Sequence, residues 1–154
     1  MPSGRSTGKT EGALKVFFDC DYRVCYGDTD QMGVVYYANY FTFFERGRTE
    51  MLRAAGFPYS RLEQLGVFLP VIEAKCRYYA PARYDDLLTL RSAVLELGRV
   101  KLRIGTQVRL GDKVLASGEV TLGCVNSDRR PVRVANELEE ACREYSLPPG
   151  EEWR

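Results

Sequence analysis

The 154-residue sequence contains no histidine. That absence removes Ser–His–Asp and Cys–His catalysis, and with them the commonest metal ligand and general base. Any acid–base work falls to carboxylates, Tyr, Lys, Cys or backbone groups. Cysteine is sparse and odd in number: Cys20, Cys25, Cys76, Cys124 and Cys142, with no C-x-x-C pair. Such a set reads as reduced thiols of a cytoplasmic protein, with neither a disulfide framework nor a metal site. Cys25 can be read as a reactive thiol or, more plainly, as a small core residue. Neither sign of charge dominates: 22 basic residues face 21 acidic ones, for a net charge of +1. No electrostatic footprint for nucleic acid is expected. No apolar run approaches the roughly 18 residues of a membrane span, and the polar start, Met1 to Glu11, does not suggest a signal peptide.

What remains has the composition of one globular domain, with 45% hydrophobic and 28% charged residues. Residues 1–14 are expected to be a disordered tail, 15–146 the domain, and 147–154 a second tail. Within the first tail "GRSTGKT" imitates a phosphate loop, but only three residues separate Gly4 from Gly8 and no strand precedes them. Val16 to Tyr26 reads as a strand. A helix is expected from Val35 to Ala55, with Tyr40, Phe44, Gly47, Met51 and Leu52 near helical spacing and Gly56 placed to end it. Gly47 costs about 1 kcal/mol there relative to Ala, which close approach of the helix to a sheet would justify. "PYSRLEQLG" suggests a short second helix. Strand patterns follow at "VFLPVIEAKCRYY", "DLLTLRSAVLEL", "RVKLRIGTQVRL" and "KVLASGEVTLGCV", and "VANELEEACREY" closes the domain as a helix. Strand, long helix, then four strands in meander order predict an α+β fold: a five-stranded antiparallel sheet wrapped around one long central helix.

The stretch "GDTDQMGVVYYANYF", Gly27 to Phe41, sets two acids just ahead of an aromatic run. A helix N-terminus carries unsatisfied N–H groups and about half a positive charge. Asp28 and Asp30 therefore have a plain reading, turn formation and dipole complementarity. They also have a sharper one, because the same helix end can stabilise an oxyanion beside a carboxylate.

"GDTDQMGVVYYANYFTFFERGRTEMLRAAG" resembles the signature of hot-dog-fold acyl-CoA thioesterases of the 4-hydroxybenzoyl-CoA thioesterase / YbgC type. "YYAPARYDDLL" and "DRRPVRVANEL" resemble two further segments of that family, so the likeness spans about residues 17–145. The resemblance implies hydrolysis of a thioester to a free acid and CoA without metal or cofactor. It implies Asp30 as nucleophile or general base and the Tyr37 backbone N–H as oxyanion donor, with Asp28 structural. Tyr37 stands where YbgC-type members commonly carry His, which leaves the acyl group open. Some related enzymes place a catalytic Glu on the long helix; Glu45 is the corresponding candidate, its plain alternative being an i,i+3 pair with Arg48. Gly33, Val34 and Tyr36 are expected against the substrate, and Arg99 and Lys101 near the CoA phosphates, unless they only form a solvated strand face. The family assembles as homodimers or homotetramers. An acyl-carrier protein as substrate, or acyl-CoA binding without catalysis, are the alternatives.

Overall fold

In the computed structural model, which describes residues 4–7 and 16–153, the long helix α1 spans Asn39–Ala54 and so starts later than Val35. The cause is local. Val34 and Val35 are β-branched and favour extended backbone; Val34 bridges Arg83 and Val35 bridges Thr29. The helix ends as expected, with Gly56 at φ +88°, a conformation glycine adopts without strain.

The other elements, in chain order, are β1 (Gly4–Thr7), β2 (Phe17–Arg23), α2 (Tyr59–Leu65), β3 (Val67–Phe68), β4 (Val71–Tyr78), β5 (Leu87–Leu97), β6 (Lys101–Leu110), β7 (Lys113–Gly123), β8 (Val125–Asn126) and α3 (Asn136–Glu144). Five long antiparallel strands form the sheet, in the order β2-β5-β6-β7-β4, and short β1 lies beside β2. Within the polar start, then, Gly4–Thr7 is a strand; the rest of the expected 1–14 tail lies outside the described residues, as do the last three residues of the imitation phosphate loop. The expected strand at Val67–Tyr79 is divided into β3 and β4 around Pro70, which has no N–H to give to a ladder.

The meander expectation holds only for β5, β6 and β7. β4 does not pair with β5; it crosses to the far edge and pairs with β7. The link between them is too long for a tight hairpin and contains Pro81, and it runs past the start of α1. There Ala82 accepts from Val35 N–H at 2.8 Å and donates to the Tyr40 hydroxyl at 3.4 Å.

The core lies between α1 and the sheet. Tyr40, Phe43, Phe44, Gly47, Met51 and Leu52 are the buried face of α1, and they meet Leu90, Leu102, Ile104, Val108, Val120 and Leu122 from the strands. Each fully buried large side chain of this kind contributes about 1.5–3 kcal/mol. Gly47 has the role its spacing suggested: a Cβ there would sit 2.5 Å from Ser92 Oγ. Beneath it the buried Ser92 and Thr106 hydroxyls satisfy each other at 2.8 Å. Gly118 of β7 is tighter still. A Cβ would overlap the Phe44 ring and lie 2.8 Å from the Lys75 carbonyl. Gly118→Ala is therefore expected to lift α1 from the sheet and to cost about 1–3 kcal/mol, read as a lower midpoint in urea unfolding with an unchanged slope.

At the periphery, Arg61 of α2 forms a bidentate pair with Glu137 of α3, both contacts at 2.6 Å. The stretch expected as a C-terminal tail follows the sheet instead. Leu147 N–H donates to the Val94 carbonyl at 2.9 Å, and the Trp153 ring lies on Gly105, where any Cβ would overlap it. Cys20, Cys124 and Cys142 are buried, whereas Cys25 is exposed, so its reading as a core residue is corrected. Burial pushes the Cys142 thiol up to about 12, which keeps it protonated at neutral pH. A thiol reagent on the native protein should accordingly label Cys25 first, and label Cys20, Cys124 and Cys142 only on unfolding; mass spectrometry of the modified peptides reads this directly. Among the described residues no helix is long and apolar enough to cross a membrane.

Candidate active site

The two acids of the loop have different surroundings. Asp28 ends a short turn, Tyr26–Asp28. Its Oδ2 accepts from the Tyr22 hydroxyl at 2.6 Å and from Cys25 N–H at 2.8 Å. Its backbone carbonyl accepts from Tyr36 N–H at 2.9 Å and from Asn39 Nδ2 at 2.9 Å. Burial pushes the Tyr22 hydroxyl pKa up, and the hydrogen bond to Asp28 adds to the effect. Asp28 is thus engaged on both its side chain and its main chain, as a structural residue would be.

Asp30 sits in the next tight turn. Gly33 N–H closes it onto the Asp30 carbonyl at 3.0 Å, and Asp30 N–H donates to Val34 at 2.9 Å. Gly33 adopts φ +78°, which a side chain at this position would resist. Oδ1 of Asp30 accepts from Met32 N–H at 2.8 Å; among the described residues Oδ2 has no donor. The carboxylate lines an open cleft of about 510 Å³, shared with Tyr26, Thr29, Gln31, Gly33 and Tyr84.

The loop leads into α1. Thr29 and Val35 bridge antiparallel, with Asp30 on the turn side of the bridge and, on the other side, the Tyr36 N–H returning to the Asp28 carbonyl just ahead of Tyr37. The helix has no side-chain cap at Ala38. Among the described residues, the Tyr37 and Ala38 N–H groups have no acceptor, whereas the next two, Asn39 and Tyr40, donate to the Tyr36 and Tyr37 carbonyls. Open donors at the positive end of a helix are groups able to hold an oxyanion, and a partly exposed carboxylate is one able to attack or to activate water. Tyr36 borders the same place. Its hydrogen bond with Tyr37 raises its hydroxyl pKa, and the nearby Asp30 charge adds a smaller push upward.

Not every expected residue joins this group. Gly33 lines the cleft, and Val34 and Tyr36 flank it. Glu45 lies elsewhere, lining a separate cleft of about 290 Å³ with Arg48, Leu52 and Val71. There burial pulls the Arg48 guanidinium below its ordinary value and the Glu45 charge opposes that pull. Arg99 and Lys101 occupy the β5–β6 hairpin, whereas Asp30 lies by the start of β5, so one chain holds them at opposite ends of the sheet. Tyr26 and Tyr84, which meet edge to face at 5.9 Å, were not foreseen as cleft walls. They are far apart in the sequence, and only the crossover into β5 unites them.

The profile of the thioesterase-like superfamily matches residues 24–142. The acyl-CoA thioester hydrolase YbgC of Escherichia coli O6:H1 is 41% identical over 106 residues, which cover 68% of this chain and 78% of that protein. The acyl-CoA thioesterase YbgC of Haemophilus influenzae is 33% identical over 126 residues, 80% of this chain and 93% of the relative. Among solved structures, that of a probable thioesterase from Bartonella henselae superposes with a TM-score of 0.74 at 33% identity, covering 78% of this chain and 100% of that one.

Proposed function

Since the chain belongs to the thioesterase-like superfamily and is a thioester hydrolase of hot-dog fold, we propose that it hydrolyses acyl-CoA thioesters in the cytoplasm, with Asp30 at the reacting carbonyl. The observation that carries this reading is the Asp30 carboxylate lining an open cleft, with one oxygen uncommitted among the described residues, in the loop that leads into the open N–H groups at Tyr37 and Ala38. The substrate carbonyl oxygen takes up negative charge as its carbon is attacked, and those donors stabilise that charge without reorganising. Asp30 acts either by attacking the carbonyl carbon, which expels the CoA thiolate and leaves an anhydride for water to cleave, or by taking a proton from the attacking water. Both routes consume one water and yield a carboxylic acid and CoA thiol, and both use this chain's own groups without a metal or cofactor.

A second copy of the chain completes the assembly in this reading. β4 is a sheet edge that carries exposed Val71, Ile72 and Tyr78, an uncovered edge that proteins seldom leave free. Antiparallel pairing of two β4 edges would set the Val71 end of one subunit beside the Tyr78 end of the other. It would also bring the far end of the second sheet, with Arg99 and Lys101, to the end that holds Asp30. Those two cations then serve the CoA phosphates of the partner's site.

The test is release of CoA thiol from a panel of acyl-CoAs, short to long aliphatic and benzoyl-type, run beside the matching acyl-carrier-protein thioesters, with sedimentation to give the subunit number. Turnover of at least one acyl-CoA without added metal is the expected result. Binding without turnover across the panel would sink the hydrolase reading of this site, and turnover of carrier-bound substrates alone would replace CoA as the substrate.

A further inference from the structure

The geometry points to Asn39 as a positioning residue, which together with Tyr22 clamps the start of α1 to the Asp30 loop through Asp28; this rests on the reading of Asp30 and the Tyr37 N–H given above. Asn is among the residues that best cap a helix by accepting its first N–H groups. Here the side chain is used otherwise. Asn39 stands at the first position of α1, the helix has no side-chain cap, and Nδ2 donates backwards to the Asp28 carbonyl at 2.9 Å. The same oxygen accepts the Tyr36 N–H at 2.9 Å. One carbonyl therefore receives a donor from each side of Tyr37, the residue that offers the oxyanion its N–H.

Asp28 is itself held. Its carboxylate takes the Tyr22 hydroxyl at 2.6 Å and the Cys25 N–H at 2.8 Å. The Tyr22 ring returns to the helix, packing on Phe43 with centroids 5.0 Å apart and under the Arg46 guanidinium at 4.8 Å. The contacts form a closed circuit from β2 through Asp28 to Asn39, along α1 to Phe43, and back to Tyr22. Asp30 and the Tyr37 N–H both lie in the segment between Asp28 and Asn39 that this circuit closes, so the circuit constrains the separation of carboxylate and oxyanion donor. A capping side chain would have filled the donors that this arrangement leaves open. Misplacement of reacting groups by about 1 Å can cost 100-fold in rate.

The experiment measures steady-state kinetics for Asn39→Leu, Tyr22→Phe and the double variant, with Asp30→Asn as reference. Leu matches the shape of Asn and is the better helix former, while Phe keeps the ring on Phe43, so each should melt near the wild-type temperature. Each single variant is expected to lower kcat by about 10- to 100-fold with KM within about twofold. The double variant should lose less than the product of the two, because both act through Asp28. Wild-type kcat in Asn39→Leu, a loss confined to melting temperature, or fully multiplicative effects would each overturn the clamp, while an inactive Asp30→Asn would leave the catalytic reading standing. Turnover retained by Asp30→Asn would overturn both.

Discussion

Asp30→Asn is expected to lower kcat by about 10²–10⁴-fold, the usual contribution of a positioned acid–base group, and to leave folding unchanged. The substitution is clean for a structural reason. The carboxylate holds its turn through Oδ1, which accepts the Met32 N–H, and the Asn side-chain carbonyl can accept the same bond. The turn's backbone bonds, Gly33 N–H to Asp30 and Asp30 N–H to Val34, do not involve the side chain at all. What Asn removes is the negative charge, on which both the nucleophilic and the general-base route depend. Parallel measurement of kcat and of thermal unfolding separates the two effects. Unchanged turnover would pass the role to Glu45, which lines a different cleft.

Tyr37→Pro should lower kcat by about 10²–10³-fold, the usual consequence of removing one oxyanion donor. Tyr37 precedes the N-cap Ala38, so a proline there removes no hydrogen bond of the helix ladder, and the Tyr37 N–H has no acceptor among the described residues. Tyr37 is 62% exposed, so little burial is lost. The Tyr37 carbonyl, which accepts from the Tyr78 hydroxyl at 2.8 Å, is kept. Tyr37→Ala is the control: it retains the N–H and discards the ring, and should stay close to wild type in kcat. Equal losses in the two variants would assign the effect to the side chain and defeat the oxyanion role of the N–H.

Local features of this fold were legible from the sequence because local chemistry decides them. Gly47 stood out as a helix glycine needing a reason, and the Ser92 hydroxyl beneath it is that reason. Alternation along β6 sorted Leu102, Ile104 and Val108 from Arg103, Gln107 and Arg109, and the first three are buried. The start of α1 was misplaced because Val35 to Tyr37 is apolar enough for helix or strand, and only the pairing with Thr29 and Ala82 decides between them. β4 was misplaced in the sheet because strand order depends on partners distant in sequence, which periodicity does not register. The same holds at the candidate site. Asp30 was singled out through a family resemblance, whereas the donors around Asp28 and the open N–H groups of Tyr37 and Ala38 exist only once the loop and the helix meet. Arg99 and Lys101 look like neighbours of any substrate on a strand diagram, yet one chain puts the length of β5 between them and Asp30.

The ring of Trp153 resting on Gly105 gives the protein an intrinsic optical reporter. It is the sole tryptophan in the sequence, and its indole nitrogen is shielded from solvent with no hydrogen-bond partner among the described residues. Emission excited at wavelengths beyond tyrosine absorption, which passes over the ten tyrosines, therefore comes from one spot on the side of the sheet away from α1. A red shift on dilution, heating or partner addition registers undocking of the last residues there, with no dye attached and no signal from the catalytic loop to subtract.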